Sequence, residues 1–197
     1  MPRPRPDADR IKDRLLDEAE RMLKQTKGRR LVMSEIADRV GMSQSNAHRY
    51  FATRDDLVRG LALRWFEEVH RQSAAVVALD IAPGEKLERW LLTILAIKRD
   101  RYDADPELFD AYLELAAGHM DIVRDHAAEL TRHLERILSD LVPPERLLAA
   151  LNLVEDATVL FRAPQNISLF RSRATDARAI AVVTALRQVI EQKPQRL

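Results

Sequence analysis

An all-α fold is what this sequence predicts, and three observations predict it. Apolar residues recur at i, i+3, i+4 and i+7 through most of the chain, the stripe of a helix with one buried face. Only 5 of the 197 residues are glycine, and runs of β-branched residues are scarce. The prolines at 106, 143, 144, 164 and 194 fall where periodic runs begin or stop. About nine helices and no strand are expected, with a boundary after residue 53 that separates a small N-terminal domain (1–53) from a larger one (54–197).

The elements follow in order. Met1–Pro6 alternates proline with other residues, which excludes a helix and leaves an extended arm carrying Arg3 and Arg5. A helix is expected over 9–27, with Ile11, Leu15, Ala19, Met22 and Leu23 inward, followed by a basic loop. The next helix places Met33, Ile36, Ala37 and Val40 on one face. Gly41 ends it, because a glycine enters the left-handed region cheaply. Ser43 is placed to cap a short polar helix over 44–51 whose Ala47 and Phe51 turn inward. Thr53 and Asp56 form a capping box that opens a long helix, to about Ala78, with Leu57, Leu61, Trp65 and Val69 buried.

Residues 80–84 make the first clear break. Five helices are expected after it: 84–103 with Leu87, Trp90, Leu91, Ile94 and Ile97 inward; 106–117 with Pro106 at its first position; 120–141; 144–163; and 175–192. The last two are apolar around most of their circumference. A terminal helix of that kind must be covered on both sides, and the simplest cover is a second copy. Leu151, Val154, Ile180, Val183, Leu186 and Ile190 are the expected dimerisation residues of a homodimer.

Composition bounds the function. Hydrophobic residues make up 46% of the chain and charged residues 32%, which is ordinary for a folded helical protein and excludes disorder. Cysteine is absent, so disulfides, thiol chemistry and cysteine-ligated zinc are excluded. No apolar run approaches the ~18 residues of a membrane span, and the N-terminus lacks a signal-peptide core. A cytoplasmic protein without membrane contact is expected. The net charge of +1 hides an asymmetry, since residues 1–60 hold 14 lysines and arginines against 10 acidic residues. A basic head on a slightly acidic body suits nucleic-acid binding.

Helix, glycine turn and short polar helix is the layout of a helix-turn-helix, whose second helix enters the DNA major groove. Gln44 and Asn46 can pair with adenine edges and Arg49 with guanine, while Arg49, Tyr50, Arg54 and the helix N-terminal amides suit the phosphate backbone. One such readout is too small for a unique site, so two copies on a two-fold axis would read a palindrome.

The run IADRVGMSQSNAHRYFATRDDL resembles the DNA-binding region of the tetracycline-repressor-like (TetR) transcriptional regulators, and the LLDEAERML run before it and the helix count fit as well. The motif resemblance covers roughly residues 10–62. It implies a DNA-contacting set of Ser43, Gln44, Ser45, Asn46, His48, Arg49, Tyr50 and Arg54, with Arg3 and Arg5 on the arm. His48 falls where the family usually has a phosphate-contacting tyrosine, and Arg54 where a lysine usually meets the backbone. Val32 replaces a frequent capping threonine, and Ala47 is smaller than the usual leucine or valine.

The resemblance further implies a helical ligand-binding and dimerisation domain after the long helix. Trp90, Tyr102, Phe109, Tyr112, Met120 and Phe161 are the expected ligand-lining residues, with Glu114, His119, Asp156 and Arg162 as polar groups that could orient a small-molecule effector. His119, His126 and His133 recur every seven residues on one helix face, which allows a His126/Glu129/His133 metal site; a solvated or interface stripe is the plainer reading, and no metal or cofactor is expected. The chain lacks a phosphate-cradling glycine loop, a nucleophile motif and HExxH, so no enzyme is expected. The reading is a ligand-responsive dimeric DNA-binding regulator, a repressor released from a palindromic operator by its effector. The alternative is a helical interaction adaptor that has lost DNA binding.

Overall fold

Ten α-helices and one 3-10 turn make up the secondary structure among the described residues of the computed structural model, 6–26 and 30–192, and no strand occurs among them. They are α1 Pro6–Gln25, α2 Met33–Arg39, α3 Gln44–Ala47, α4 Arg54–Val77, α5 Pro83–Ala104, α6 Pro106–Ala117, α7 Met120–Ser139, α8 Pro144–Arg162, α9 Pro164–Leu169 and α10 Asp176–Glu191, with the 3-10 turn at Arg171–Arg173. The arm arginines Arg3 and Arg5 lie outside the described residues.

Three differences from expectation have local causes. α1 starts at Pro6, three residues earlier than expected, because proline suits a first helical position and Asp7 and Asp9 follow in the first turn. α3 closes after four residues instead of running to Phe51, since Arg49 N and Tyr50 N bond three residues back and tighten the chain. Beyond α8, Pro164 acts as a start as well as a stop, and the unexpected α9 and 3-10 turn follow it. Other starts are as expected. The Asp105 side chain accepts from Leu108 N at 3.1 Å with Pro106 at the first position of α6.

The chain forms two compact units: residues 1–66 with 105–123, and residues 67–104 with 124–197. They differ from the expected 1–53 and 54–197 chiefly because 105–123 groups with the N-terminal part. In the first unit α1 packs on α2 and α6, and α2 on α3. Its core includes Leu15, Ala19, Met22, Leu23, Ile36, Ala37, Leu57 and Leu61. Trp65 stacks on Tyr112 at 5.3 Å and meets Phe109 edge-on at 5.6 Å.

In the second unit α5 packs against α8, α9 and α10, and α8 against α10. Leu87, Trp90, Leu91, Ile94, Leu95, Phe161 and Ile167 fill its interior. Val154, Val183, Leu186 and Ile190, expected between two subunits, are core residues of a single chain. The apolar groups that α8 and α10 leave exposed are Leu148, Leu153, Val159, Ile180 and Val189, so of the expected dimerisation set only Ile180 is exposed and Leu151 is half-buried. No helix among the described residues is long and apolar enough to cross a membrane.

Candidate nucleic-acid interface

The site is built on the turn after α2. Gly41 has φ 74°, a left-handed conformation that a side chain resists, and it reverses the chain toward Ser43. The α1 residue Arg14 donates to the Val40 carbonyl at 2.7 Å and so satisfies the end of α2. Buried Glu18 of α1 pairs with Arg39 of α2 at 3.1 Å, which fixes the two helices together. Val32 precedes α2 without a side-chain cap, as its lack of a hydroxyl dictates.

Ser43 caps α3, its hydroxyl accepting from Asn46 N at 3.3 Å. Ala47 and Phe51 are buried beneath the segment, while Ser43, Gln44, Ser45 and Arg49 are exposed and Asn46, His48 and Tyr50 half-buried. The Arg49 side chain makes no hydrogen bond or ion pair among the described residues, so its guanidinium is available to a phosphate or a base edge. Phe51 is anchored on α4, where a methyl group added at Gly60 would come within 2.9 Å of its ring. Only a glycine lets the two segments approach this closely.

His48 has a different neighbourhood from the one its position implied. Its Nδ1 faces two carbonyls, Ala52 O at 2.9 Å and Phe51 O at 3.3 Å, and therefore carries the proton and donates. Nε2 then accepts from the Gln44 amide at 3.3 Å. The imidazole closes the end of the recognition segment and orients Gln44. Arg54 donates from Nε to the Leu31 carbonyl at 3.2 Å, holding the α1–α2 loop to the start of α4. That start is a reciprocal capping box: Thr53 N donates to Asp56 at 2.9 Å, and Asp56 N donates to the Thr53 hydroxyl at 3.0 Å.

Sequence reasoning missed the grip that residues 105–123 exert on α4 within the same unit. His119 Nε2 lies 2.7 Å from the Asp55 carboxylate, and its Nδ1 3.0 Å from the Leu115 carbonyl. The Leu115 carbonyl first, and then Asp55, raise the pKa of His119 above the ordinary histidine value. Arg59 pairs with Asp121 beside it. No signal short of the packing could pair these groups across more than sixty residues.

The expected ligand-lining residues divide between the units. Phe109 and Tyr112 pack on Trp65 in the first unit, where Met120 is 52% exposed; Trp90 and Phe161 are buried in the second unit, with Tyr102 half-buried. Glu114 and Asp156 are exposed, His119 is spent on Asp55, and Arg162 lies against Trp90. Of the three heptad-spaced histidines, His126 meets His70 at 2.7 Å, whereas His133 meets Ser73 at 2.9 Å and Glu129 at 3.2 Å. The described residues contain no group of three or more ligating side chains placed to hold a metal ion.

Two family models match the chain. One, described as bacterial regulatory proteins, tetR family, covers residues 15–61. The other, described as tetracyclin repressor-like, C-terminal domain, covers residues 83–183. Among curated proteins, uncharacterized HTH-type transcriptional regulators from two Mycobacterium tuberculosis strains (CDC 1551 / Oshkosh and ATCC 25618 / H37Rv) are each 33% identical over 88 residues, 45% of this chain and 44% of the relative. The match thus spans less than half the length of those relatives. Among solved structures, a TetR/AcrR-family transcriptional regulator from Thermobifida fusca YX-ER1 superposes with TM-score 0.59 at 16% identity over 94% of this chain and 99% of that one. The multidrug binding protein EbrR, complexed with imidazole, superposes with TM-score 0.53 at 19% identity over 89% and 93%. At these identities the structural likeness is one of fold.

Proposed function

Because the chain belongs to the tetracycline repressor-like (TetR) family of bacterial regulatory proteins, we propose that it is a ligand-responsive homodimer that binds a palindromic operator and is released from it by a small-molecule effector. The observation that carries this reading is the row of exposed polar groups at Ser43, Gln44, Ser45 and Arg49 standing on buried Ala47 and Phe51. Such a row, rigidly seated and rich in donors and acceptors, is suited to groove edges and phosphates. Gln44 reads a base, with its amide oriented by His48; Arg49, Tyr50 and Arg54 set the position on the backbone.

The dimer presents the exposed apolar faces of α8 and α10. Leu148 is 69% exposed and Val189 57%, which leaves apolar surface for a partner copy to cover. The His119–Asp55 and Arg59–Asp121 pairs hold the first turns of α4, and Gly60 holds Phe51. Ligand binding favours a conformer in which α4 sets the two recognition segments at the wrong spacing, and DNA affinity falls. That EbrR, of the same fold, is a multidrug binding protein supports a small-molecule effector.

Selection of bound fragments from random DNA, followed by anisotropy titrations at several salt concentrations, tests the reading. A two-fold symmetric consensus bound with a steep salt dependence is expected. No retained DNA at low salt would leave an interaction adaptor built on the same fold.

A further inference from the structure

His48 does more to the recognition segment than close its end. The ring is half-buried and stands four residues after Gln44, whose side chain is exposed beside it. Nδ1 lies 2.9 Å from Ala52 O and 3.3 Å from Phe51 O. A carbonyl oxygen can only accept, so Nδ1 carries a hydrogen. In the neutral ring Nε2 is then an acceptor, and the group it meets must donate. It meets the Gln44 carboxamide at 3.3 Å, so the nitrogen of that amide faces the ring and its oxygen faces away. Two backbone carbonyls thus settle, through the imidazole, which way round the Gln44 amide stands. The ring itself is seated, since Phe51, one of its two acceptors, is buried against Gly60 of α4.

We propose that His48 is a positioning residue for base readout: by fixing which end of the Gln44 amide meets the groove, it makes Gln44 a reader of adenine. This rests on the DNA-binding reading above and names the base that one position of the operator presents. One amide N–H is spent on Nε2 of His48. The carbonyl and the second N–H remain, side by side. That is the pair that takes adenine in the major groove, the carbonyl accepting from N6–H and the N–H donating to N7. An amide free to turn over offers donor and acceptor in either order. The reverse order fits other edges, such as the N4–H of cytosine beside the O6 of guanine, so a turning amide separates base pairs poorly. Asn46 gives the contrast within the same segment. Its side chain makes no hydrogen bond among the described residues, so nothing there fixes the order of its donor and acceptor.

The test separates the two tasks of the ring. An asparagine side chain carries its amide nitrogen to about the place of Nδ1, and a glutamine side chain reaches about the place of Nε2. His48→Asn therefore keeps a donor for the two carbonyls and loses the partner of Gln44. His48→Gln loses that donor and keeps an acceptor for the Gln44 amide. Operator fragments are selected from random DNA with the full-length protein, and the position read by Gln44 is the one whose base preference Gln44→Ala abolishes. Anisotropy titrations then compare four operators that differ only at that position.

The wild-type protein is expected to bind adenine there about tenfold more tightly than any other base (about 1.4 kcal/mol). His48→Asn is expected to bring that ratio below about threefold, and His48→Gln to hold it above about fivefold. Preferences at the other positions stay as they are in both variants. If the ring serves only as a structural closure, the order of the two variants reverses. That reversal overturns the proposal, as does an undiminished preference in His48→Asn, or a base other than adenine at the Gln44 position. The imidazole nitrogen resonances of His48 in the free wild-type protein give a second measurement that needs no variant. A lone proton on Nδ1 is expected, and one on Nε2 overturns the proposal. If DNA is bound but Gln44→Ala leaves every preference intact, the proposal fails and the DNA-binding reading stands. If no fragment is retained at low salt, the DNA-binding reading fails and takes the proposal with it.

Discussion

Replacing Lys98 with methionine exchanges a buried amine for an apolar chain of similar length, and the structure sets the size of the effect. The lysine moves from an ordinary 10.5 to about 7 because burial and the Arg162 and Arg101 guanidiniums disfavour its charged form. Between those two values the unfolded chain holds a proton that the native chain has released. Native stability therefore rises with pH across the window from about 7 to about 10.5. At 1.36 kcal/mol per pH unit, the cost of burying this amine at pH 7 is about 4–5 kcal/mol, and at 2% exposure little of it is screened by solvent. Methionine removes that cost but also the hydrogen bond to the Arg162 carbonyl, worth about 1 kcal/mol. The variant is thus expected to be about 3 kcal/mol more stable at pH 7 and about 1 kcal/mol less stable near pH 10.5. Urea denaturation of both proteins from pH 6.5 to 10.5, followed by fluorescence and circular dichroism, gives the difference curve. Parallel pH profiles, or a variant destabilised by more than 1 kcal/mol at pH 7, would refute the reasoning.

Four further outcomes are expected. Arg54→Ala weakens binding to every DNA sequence alike and lowers the salt slope by about one, as for a lost phosphate contact; an unchanged slope in anisotropy titrations removes that contact. Gly41→Ala, with open space around the new methyl but φ at 74°, costs about 1–2 kcal/mol in denaturant melts; a neutral result would mean the turn relaxes freely. The raised pKa of His119 contributes stability that is present below the unfolded value near 6.5 and is lost as pH rises through the higher folded value. His119→Gln therefore flattens the melting profile between pH 6 and 8, and retention of the slope would locate it elsewhere. Val189→Asp places a charge on the exposed apolar face of α10 and is expected to yield monomers by light scattering with its fold intact; an unchanged mass would move the dimer contact to another surface.

The elements that sequence located well are those whose signals act within four residues. Ser43, the Thr53–Asp56 pair and the Asp105–Pro106 start each satisfy backbone groups of their own turn, so their outcome needs no distant partner. The resemblance of the recognition segment is legible for the same reason. The ring of Pro164 both ends α8 and opens α9, a helix too short for periodicity to announce. The resemblance ties the position of His48 to phosphate; what it does not tell is that the Nδ1–H donates to the carbonyls of Ala52 and Phe51, presented by the early close of α3.

α5 shows where local reading ends. Its stripe through Leu87, Leu91 and Ile94 continues at Lys98 as well as at Ile97, and hydropathy assigned the inward place to isoleucine. The structure buries Lys98 and leaves Ile97 half-exposed, because the end of α8 offers a carbonyl to the ammonium. In α8 and α10 the apolar circumference said that both sides need cover but not which side meets α5. Packing put Val154, Val183, Leu186 and Ile190 inside and left Leu148 and Val189 outside. The sequence alone determined helices, caps and the helix-turn-helix segment, since those follow from 3.6-residue periodicity and turn chemistry. Only the tertiary structure decided which faces are core, which charges lose their water and which residues grip α4, since each depends on groups distant in sequence meeting in space.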